Sequence, residues 1–222
     1  VVVDSGSTDD TIHICKQFNA TVLETGWGGY GVNKNKGVAI AKYDWLLCLY
    51  ADEAIDEELK QSLSALSLTN DNEVFDIRFK TFFRNKWIRF GEWGSDKHIR
   101  LFNRKKIRWN EVAVHETLIL PDGVKIIMLK GHVLHYTVID EQKYFDKMTH
   151  YARMNAEKYF AAGKKPNFFK QYFSPVFAFL QYYIFHLGFL DGREGFIIAG
   201  TTARYTFLKY IYLKELNKKP HA

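Results

Sequence analysis

Two groups of polar and acidic residues each follow a short apolar run near the start of the sequence. The first group follows Val1-Val2-Val3 and consists of Asp4, Ser5, Gly6, Ser7, Thr8 and Asp9. A carboxylate at the carboxyl end of a strand can bind the ribose or base of a nucleotide in an open α/β sheet. The same residues also suit a plain loop in which Asp9 or Thr8 caps the next helix. This group alone leaves both interpretations open.

The second group, Tyr50-Ala51-Asp52-Glu53, ends an apolar run that begins at Trp45. Carboxylate ligands at a strand end suit Mg²⁺ or Mn²⁺ bridging a diphosphate, where the metal offsets charge on the departing nucleotide. An acidic pair after a strand is, by itself, usually a solvated turn. The two groups lie about 45 residues apart, with a helix, a strand and a helix between them. The two groups at this spacing are a more specific indicator of function than either group alone. Together they predict a site that binds a nucleoside diphosphate.

The elements that must position these groups follow from the hydrophobic pattern. Apolar runs at 1–3, 20–23 and 45–50 alternate with helical patterns near 9–18 and 32–41, which predicts βαβ units and a parallel sheet. Later segments predict a sheet that becomes mixed and a helical C-terminal part. They are a helix near 56–66, strands near 75–79, 98–103, 112–119 and 124–136, and helices near 140–162, 168–190 and 196–216.

The combination of motifs resembles family 2 glycosyltransferases of the nucleotide-diphospho-sugar transferase (GT-A) fold. In particular, it resembles a bacterial branch related to lipopolysaccharide core glucosyltransferases. That branch has a strand ending in Asp-Ser-Gly-Ser-Thr-Asp, a Gly-x-Gly segment with a basic residue and Asn, and Leu-Asp-Ala-Asp-Glu. The matching segments here are residues 4–9, Gly29-Tyr30-Gly31 with Lys34-Asn35, residues 49–53, Arg100-Leu101-Phe102, Val114-His115-Glu116, residues 131–136 and residues 188–192.

The resemblance implies an α/β fold of the GT-A type, with a Rossmann-like mixed sheet flanked by helices, over residues 1–140. It also implies a metal-dependent, inverting transfer of a sugar from a nucleotide-diphosphate donor. The residues expected to bind the nucleotide sugar are Asp4, Ser5, Gly6, Ser7, Asp9, Lys34, Asn35, Tyr50 and Arg100. For Lys34 a surface position, and for Arg100 a role in bracing Asp96, are open alternatives to contact with phosphate.

The reaction implied by the resemblance needs a carboxylate base near the acceptor and positive charge near the leaving group. Glu116 and Asp96 are the candidates for the base, with a slight preference for Glu116. Asp52 is the expected metal ligand. His132 and His135 are expected to share one face of a strand and to complete the metal or pyrophosphate site, although a structural role is equally open.

Two departures from the family pattern motivate a second hypothesis. Tyr50 stands where the branch has the first Asp of its metal motif. The sequence also opens inside an apparent strand, so we expect that the family's first strand and a base-binding loop are missing upstream. The alternative is therefore a catalytically impaired module of the same fold that binds a nucleotide or a glycolipid.

The last third of the sequence is both basic and aromatic. Residues 151–222 carry 11 Lys and Arg against 4 Asp and Glu, and residues 168–190 are largely apolar and ring-rich. Aromatic rings beside basic residues are typical of a helix that lies in the headgroup region of a membrane. We therefore predict that residues 141–222 form an amphipathic extension on the cytoplasmic face of a bacterial inner membrane. Helices that pack on the catalytic domain or on a second copy are the alternative.

Composition also bears on the compartment and on the partners. Two cysteines, Cys15 and Cys48, have no metal-like spacing, which is typical of a protein from a reducing cytoplasm. Nucleic acid is disfavoured as a partner because the rings of the basic region fall in apolar helices rather than in stacking platforms. By resemblance, the expected acceptor is the lipopolysaccharide core or another envelope glycan, held on a lipid.

Overall fold

The computed structural model describes residues 1–111 and 116–218 of the chain. Its strands are β1 (Val2–Asp4), β2 (Val22–Glu24), β3 (Trp45–Leu47), β4 (Glu53–Ile55), β5 (Glu73–Phe83), β6 (Lys86–Ile88), β7 (Lys97–Asn103), β8 (Arg108–Trp109), β9 (Leu118–Ile119) and β10 (Lys125–Val138). Its helices are α1 (Thr11–Gln17), α2 (Tyr30–Ile40), α3 (Glu57–Ser64), α4 (Glu141–Ala161), α5 (Phe168–Leu180) and α6 (Gly192–Lys218).

The predicted order of strands and helices is confirmed for most of the chain. The strand expected at 112–119 falls partly on residues 112–115, which lie outside the described residues, and β9 covers its last part. The helix expected at 168–190 is broken. After α5 the chain forms a π-helix over Gln181–Phe185 and a 3-10 helix over Gly188–Asp191. Leu187, between them, has a positive φ of 59°, which no α-helix can accommodate.

The first βαβ unit forms as its hydrophobic alternation predicts. β1 and β2 pair in parallel, with Val3 opposite Leu23, and α1 connects them. Helix α2 comes very close to this pair, because a Cβ atom on Gly37 would lie only 2.6 Å from Cγ2 of Val3. A side chain at position 37 would therefore force α2 away from β1.

The third predicted strand departs from a simple parallel arrangement. β3 pairs antiparallel with β7, with Trp45 opposite Asn103, instead of extending the pair of β1 and β2. Its sheet has the strand order β3-β7-β5-β10-β4, and β6 pairs with β5. The prediction of a parallel position for β3 was wrong because a short buried strand has the same apolar pattern in either pairing. Packing selects the partner.

Residue contacts divide the chain into two compact units, each made of several chain segments. The first unit comprises Val1–Tyr50, Glu57–Arg78 and Lys97–Gly131, and the second comprises Ala51–Asp56, Phe79–Asp96 and His132–Ala222. These limits follow contacts, so the assignment of catalytic and helical roles to residues 1–140 and 141–222 stays a prediction.

In the first unit, a hydrophobic core packs the sheet against the segment that follows β7. Its buried members are Val74, Phe102, Ile107 and Trp109, and the rings of Phe102 and Trp109 meet edge to face at 6.1 Å. Cys48, directly after β3, packs against this core. The packing therefore fixes the end of β3, where the second polar group begins.

The second unit has a core that joins strands to the C-terminal helices. Its buried members are Phe83, Ile88, Val138, Tyr144 and Ile198. Trp93 packs against the core, and its ring stacks on Phe83 at 6.2 Å. Because Tyr144 belongs to α4 and Ile198 to α6, these helices are part of the same hydrophobic core as the end of β5.

The segment at residues 188–192 joins β6 to α6 through a buried carboxylate. Asp191 is 3% exposed, and its carboxylate accepts hydrogen bonds from the backbone N–H groups of Arg89 and Phe90. Gly195 faces the backbone of this segment so closely that a Cβ atom there would lie 1.9 Å from the carbonyl oxygen of Gly188. Residues 188–192, one of the segments on which the resemblance was based, therefore have a structural role in this chain.

Helix α5 carries an exposed aromatic surface, which we define as Phe168, Phe169, Phe173, Val176 and Phe177. Each of these side chains is between 58% and 68% exposed. Within the described residues, no single helix is both long and apolar enough to cross a membrane. Only the pair Phe168–Phe185 and Gly188–Lys218, bent by 71°, meets that criterion together.

Candidate active site

The first polar group forms a tight turn at the end of β1. The carboxylate of Asp4 accepts hydrogen bonds from the backbone N–H groups of Gly6 and Ser7, both at 2.9 Å, and from the hydroxyl of Ser7. These bonds lower the pKa of Asp4 below its usual range, with the hydroxyl of Ser7 as the largest cause. Gly6 has a φ of +103°, which favours glycine at this turn. The turn is preformed and carries a full negative charge at neutral pH.

The turn is linked to the glycine-rich segment by a residue that the sequence analysis did not single out. The amide nitrogen of Asn33 donates to Oγ of Ser5 at 2.7 Å, and its amide oxygen accepts from the backbone N–H of Gly28 at 3.2 Å. Asn33 is 6% exposed. The sequence signal for this residue was its place between Gly29-Tyr30-Gly31 and Lys34-Asn35. A buried amide needs hydrogen-bond partners for both its nitrogen and its oxygen, and Ser5 and Gly28 are those partners here.

Asp9 acts at the start of α1. Its carboxylate accepts from the backbone N–H of Thr11 at 3.1 Å and from the hydroxyl of the same residue. The bond from the Thr11 hydroxyl is the main reason why the pKa of Asp9 is lowered. The N-cap position itself belongs to Asp10, whose side chain makes no capping bond. The expectation that Asp9 or Thr8 is the cap is therefore wrong by one or two residues, although Asp9 accepts from the first N–H of the helix; a contact of Asp9 with a nucleotide stays a prediction.

Lys34, Tyr50 and Glu116 meet in the first unit although they lie far apart in the sequence. The ammonium group of Lys34 donates to the hydroxyl oxygen of Tyr50 and to Oε1 of Glu116, and it forms a 2.5 Å ion pair with that carboxylate. The Tyr50 hydroxyl also donates to Oε1 of Glu116 at 2.9 Å. We call these three residues the Lys34 cluster.

Two further side chains surround the Lys34 cluster. The Lys34 nitrogen lies 3.9 Å from the ring centre of Trp109, and the guanidinium group of Arg100 lies 4.6 Å from the ring centre of Tyr50. Arg100 is 5% exposed. The surface interpretation of Lys34 is therefore wrong, because its side chain is only 15% exposed. Two cations lie next to one carboxylate, so this part of the unit attracts anions.

Burial and charge together set the protonation states in the Lys34 cluster. Burial lowers the pKa of Lys34, and the adjacent Glu116 carboxylate partly offsets that effect. For Glu116, burial raises the pKa, but the hydrogen bonds from Lys34 and Tyr50 prevail and lower it. Burial and the same carboxylate raise the pKa of the Tyr50 phenol. At neutral pH, Glu116 is ionised and Tyr50 is protonated.

Asn35 has a structural partner beside this cluster. Its side-chain amide nitrogen donates to the backbone carbonyl oxygen of Trp109 at 2.9 Å, and its amide oxygen accepts from the backbone N–H of Trp109 at 3.1 Å. The nearby Gly31 allows this approach, because a Cβ atom there would lie 1.9 Å from the carbonyl oxygen of Asn110. The motif Lys34-Asn35 therefore holds α2 to the strand at Trp109, while a contact of Asn35 with the nucleotide stays a prediction.

Asp52 and His135 form a carboxylate–imidazole pair in the second unit. Oδ2 of Asp52 lies 3.3 Å from Nε2 of His135, and this contact is the main cause of the lowered pKa of Asp52. His132 pairs elsewhere, with its Nδ1 3.1 Å from Oδ2 of Asp56. The expectation that the two histidines share a face was wrong. Residues three apart in an extended strand point to opposite faces.

The donor set that could hold a divalent cation is small. Among residues 1–111 and 116–218, no group of three or more His, Cys, Asp or Glu side chains is arranged to hold a metal ion. Asp52 and His135 together offer a carboxylate oxygen and an imidazole nitrogen. Mg²⁺ in nucleotide sites is commonly held by one or two carboxylates, with phosphate and water oxygens as its other ligands. The carboxylate of Asp52 is of this ligand type, and a metal ion at the pair stays a prediction.

Asp96 lies in the lining of a cavity of the second unit. The cavity has a volume of about 210 Å³ and is lined by Thr81, Glu92, Trp93, Asp96, His135, Thr137, Tyr144, Lys147, Met148 and Tyr151. It thus contains one candidate base and one member of the carboxylate–imidazole pair. Glu116, by contrast, belongs to the Lys34 cluster of the first unit.

Comparison with known proteins identifies the family of this chain. The family model described as glycosyl transferase family 2 matches residues 1–120. The lipopolysaccharide core biosynthesis glycosyltransferase LpsC of Rhizobium meliloti is 30% identical over 220 residues, which cover 94% of this chain and 79% of the relative. An uncharacterised glycosyltransferase of Rickettsia typhi is 27% identical over 229 residues, which cover 99% of this chain and 78% of the relative.

Proposed function

Because the chain belongs to glycosyl transferase family 2 and is a glycosyltransferase, we propose that it moves a sugar from a nucleoside-diphosphate donor to an envelope glycan. The reaction inverts the anomeric carbon. The observation that carries this proposal is the contact of Asp52, which belongs to the predicted metal motif, with His135 at 3.3 Å. The carboxylate of Asp52 is a ligand type that a diphosphate-bound cation accepts.

The donor diphosphate binds to the cations of the Lys34 cluster. Lys34 and Arg100 are both largely buried. Together they carry two positive charges, whereas Glu116 carries one negative charge. A diphosphate carries more negative charge than that carboxylate, so it can replace Glu116 as the partner of Lys34. The preformed turn of Asp4 binds the ribose or base.

Asp52 and His135 would hold Mg²⁺ or Mn²⁺, which would supply positive charge to offset the negative charge of a departing nucleoside diphosphate. Tyr50 does not add a third ligand in this proposal, because its raised pKa keeps the phenol protonated. His132 remains a structural residue through its bond to Asp56.

Asp96 is the base of the proposed reaction. The acceptor hydroxyl loses its proton to the Asp96 carboxylate as its oxygen bonds to the anomeric carbon, and the bond from that carbon to the diphosphate oxygen breaks. Glu116 is a weaker base because hydrogen bonds from Lys34 and Tyr50 lower its pKa. The cavity beside Asp96 leaves room for an acceptor, which supports this choice over Glu116.

The acceptor is a lipid-linked glycan of the lipopolysaccharide core type. The similarity to LpsC, a lipopolysaccharide core biosynthesis glycosyltransferase of Rhizobium meliloti, supports this choice. The aromatic surface of α5 supports attachment to the cytoplasmic face of a membrane, since its rings are exposed and Lys164, Lys165 and Lys170 are exposed nearby. Exposed rings beside lysines suit an anionic headgroup layer.

Calorimetric titration with UDP and with GDP, each with and without Mn²⁺, tests the proposed function. We expect one nucleotide to bind, with an affinity that rises when Mn²⁺ is present and that loses this dependence in Asp52→Asn. Asp44→Asn is a matched control, because Asp44 pairs with Lys105 at 2.8 Å on the surface of the first unit. Absence of binding by both nucleotides in all conditions would contradict the proposal.

A further inference from the structure

One face of α4 forms a wall of the cavity that contains Asp96. The four residues from this helix are Tyr144, Lys147, Met148 and Tyr151. Their spacing of three, one and three residues puts them on a single helix face. Helix α4 was expected to belong to a membrane or dimer contact, so a role in ligand binding is a new assignment for it.

The lining of the cavity includes a residue with an unsatisfied polar atom. Oγ1 of Thr81 has no hydrogen-bond partner among the residues that the structure describes, although Thr81 is only 4% exposed. Buried hydroxyl groups are nearly always hydrogen-bonded, because leaving one without a partner costs about 1 to 3 kcal/mol. An unpaired hydroxyl in the lining of a cavity indicates a ligand with a polar group at that position.

The composition of the cavity is typical of a sugar site. Aromatic rings of Trp93, Tyr144 and Tyr151 offer apolar faces, while Thr81 and Lys147 offer hydrogen-bond donors. The volume of about 210 Å³ is below the range of about 300 to 1,000 Å³ for drug-sized ligands, and it suits a single sugar ring.

The charges around the cavity favour an uncharged ligand. Its titratable residues are Glu92, Asp96, His135, Tyr144, Lys147 and Tyr151, so two carboxylates face a single ammonium group. The Glu92 carboxylate also accepts a hydrogen bond from the hydroxyl of Thr202 at 2.6 Å. Carboxylates accept hydrogen bonds from sugar hydroxyls but repel an acidic substituent.

We propose that this cavity is the acceptor subsite and that it holds one neutral pyranose ring of the acceptor glycan. The assignment as an acceptor subsite rests on the proposed glycosyltransferase function. Lys147 and Thr81 are the residues that determine specificity, since each donates a hydrogen bond to a ring hydroxyl. Among the described residues Lys147 makes no hydrogen bond or ion pair within contact distance; its ammonium group lies 5.9 Å from the ring centre of Tyr151 and is one of the charges that lower the pKa of Asp52.

Ligand-observed NMR of the full chain with three probes at millimolar concentration tests this site. The probes are methyl β-glucopyranoside, methyl β-galactopyranoside and methyl β-glucuronoside. No nucleotide or metal is added, so failure of the donor site leaves this measurement unaffected. We expect one neutral glycoside to bind and the glucuronoside to bind at least fivefold more weakly.

Substitutions assign the bound probe to the cavity. We expect Thr81→Val and Lys147→Met each to weaken binding of the neutral glycoside about fivefold. Thr81→Val should leave the denaturation midpoint unchanged or raise it, because it removes a hydroxyl that has no partner in the free protein. A purely structural Thr81 would not alter glycoside binding. Lys143→Met is the matched control, since Lys143 is exposed on α4 and does not line the cavity.

Three results would overturn the inference. One is tighter binding of the glucuronoside than of both neutral glycosides, and another is absence of binding by all three probes. The third is an equal loss of glycoside binding in Lys143→Met and Lys147→Met. A protein that binds UDP or GDP but none of the glycosides would disprove the subsite and leave the donor site intact.

Discussion

The hydroxyl group of Tyr50 lies 2.9 Å from Oε1 of Glu116, a residue 66 positions later in the chain. Both also contact the ammonium group of Lys34. The residue that replaces the first acidic position of the family's metal motif is therefore tied into a hydrogen-bonded cluster. In this chain, that position contributes a protonated phenol where the resemblance implies a carboxylate.

Replacement of Lys34 should weaken nucleotide-diphosphate binding. Charge-assisted hydrogen bonds contribute about 1.5 to 3 kcal/mol, so we expect the affinity for the preferred nucleotide to fall about 10- to 100-fold in Lys34→Met. Calorimetry measures this change. The double variant Lys34→Met/Glu116→Gln avoids an unpaired buried carboxylate and should show the same loss. Lys36→Met is the control, because Lys36 contacts Thr25 instead, and an equal loss there would argue against a specific role for Lys34.

Introduction of a carboxylate at position 50 should increase turnover that depends on Mn²⁺. Tyr50→Asp adds an acidic side chain two residues before Asp52, where the resemblance implies one, and so adds a carboxylate that can bind a metal ion. Release of nucleoside diphosphate from the donor, with and without Mn²⁺, is the readout. Tyr50→Phe removes only the hydroxyl and should show no gain. If Tyr50→Asp binds nucleotide but gains no turnover, a binding module becomes the better description.

Because Glu116 forms an ion pair with Lys34, the free energy of unfolding should change with pH in the acid range. The folded-state pKa of Glu116 lies below its ordinary value of about 4.3, so its contribution to the free energy of unfolding is present above that value. The contribution is lost as the pH falls through the lower, folded-state pKa. We expect urea denaturation between pH 5 and about pH 3 to show a smaller loss of stability in Glu116→Gln than in the unchanged protein. Identical pH profiles would contradict the assigned direction.

Removal of the charge of Asp191 should destabilise the second unit. Its carboxylate accepts from two backbone N–H groups, and hydrogen bonds to a charged group are worth about 1.5 to 3 kcal/mol each. We expect Asp191→Asn to lower the free energy of unfolding by about 2 kcal/mol, measured by urea denaturation. Glu194→Gln removes an exposed ion pair to Lys86 and should cost less than about 1 kcal/mol. Equal effects of the two substitutions would argue against this role of Asp191.

Binding to anionic vesicles should depend on the lysines next to the aromatic surface. Each lysine near such a surface contributes about 1 kcal/mol, so we expect Lys164→Gln/Lys165→Gln to weaken binding about 30-fold. Flotation with phosphatidylglycerol vesicles at low salt measures the change. Lys42→Gln/Lys60→Gln, in the first unit, is the charge-matched control. Equal loss in both double variants, or no binding by the unchanged protein, would rule out this surface as the contact.

The motifs predicted the family and the fold class, and the structure and the comparisons confirm both. Apolar alternation also predicted most strands and helices, because side-chain periodicity is a local property. It failed for the pairing of β3 and for the faces of His132 and His135. The error with the histidines was avoidable, since residues three apart in a strand lie on opposite faces.

The sequence by itself determined which residue types follow β1 and β3, and therefore the kind of chemistry that this chain can perform. Only the tertiary structure decided that Lys34 pairs with Glu116, that Asp52 pairs with His135, and that one face of α4 lines the cavity of Asp96. The reason is physical. Local periodicity sets the face on which a side chain lies, whereas contacts across 80 residues depend on how buried surfaces pack against each other.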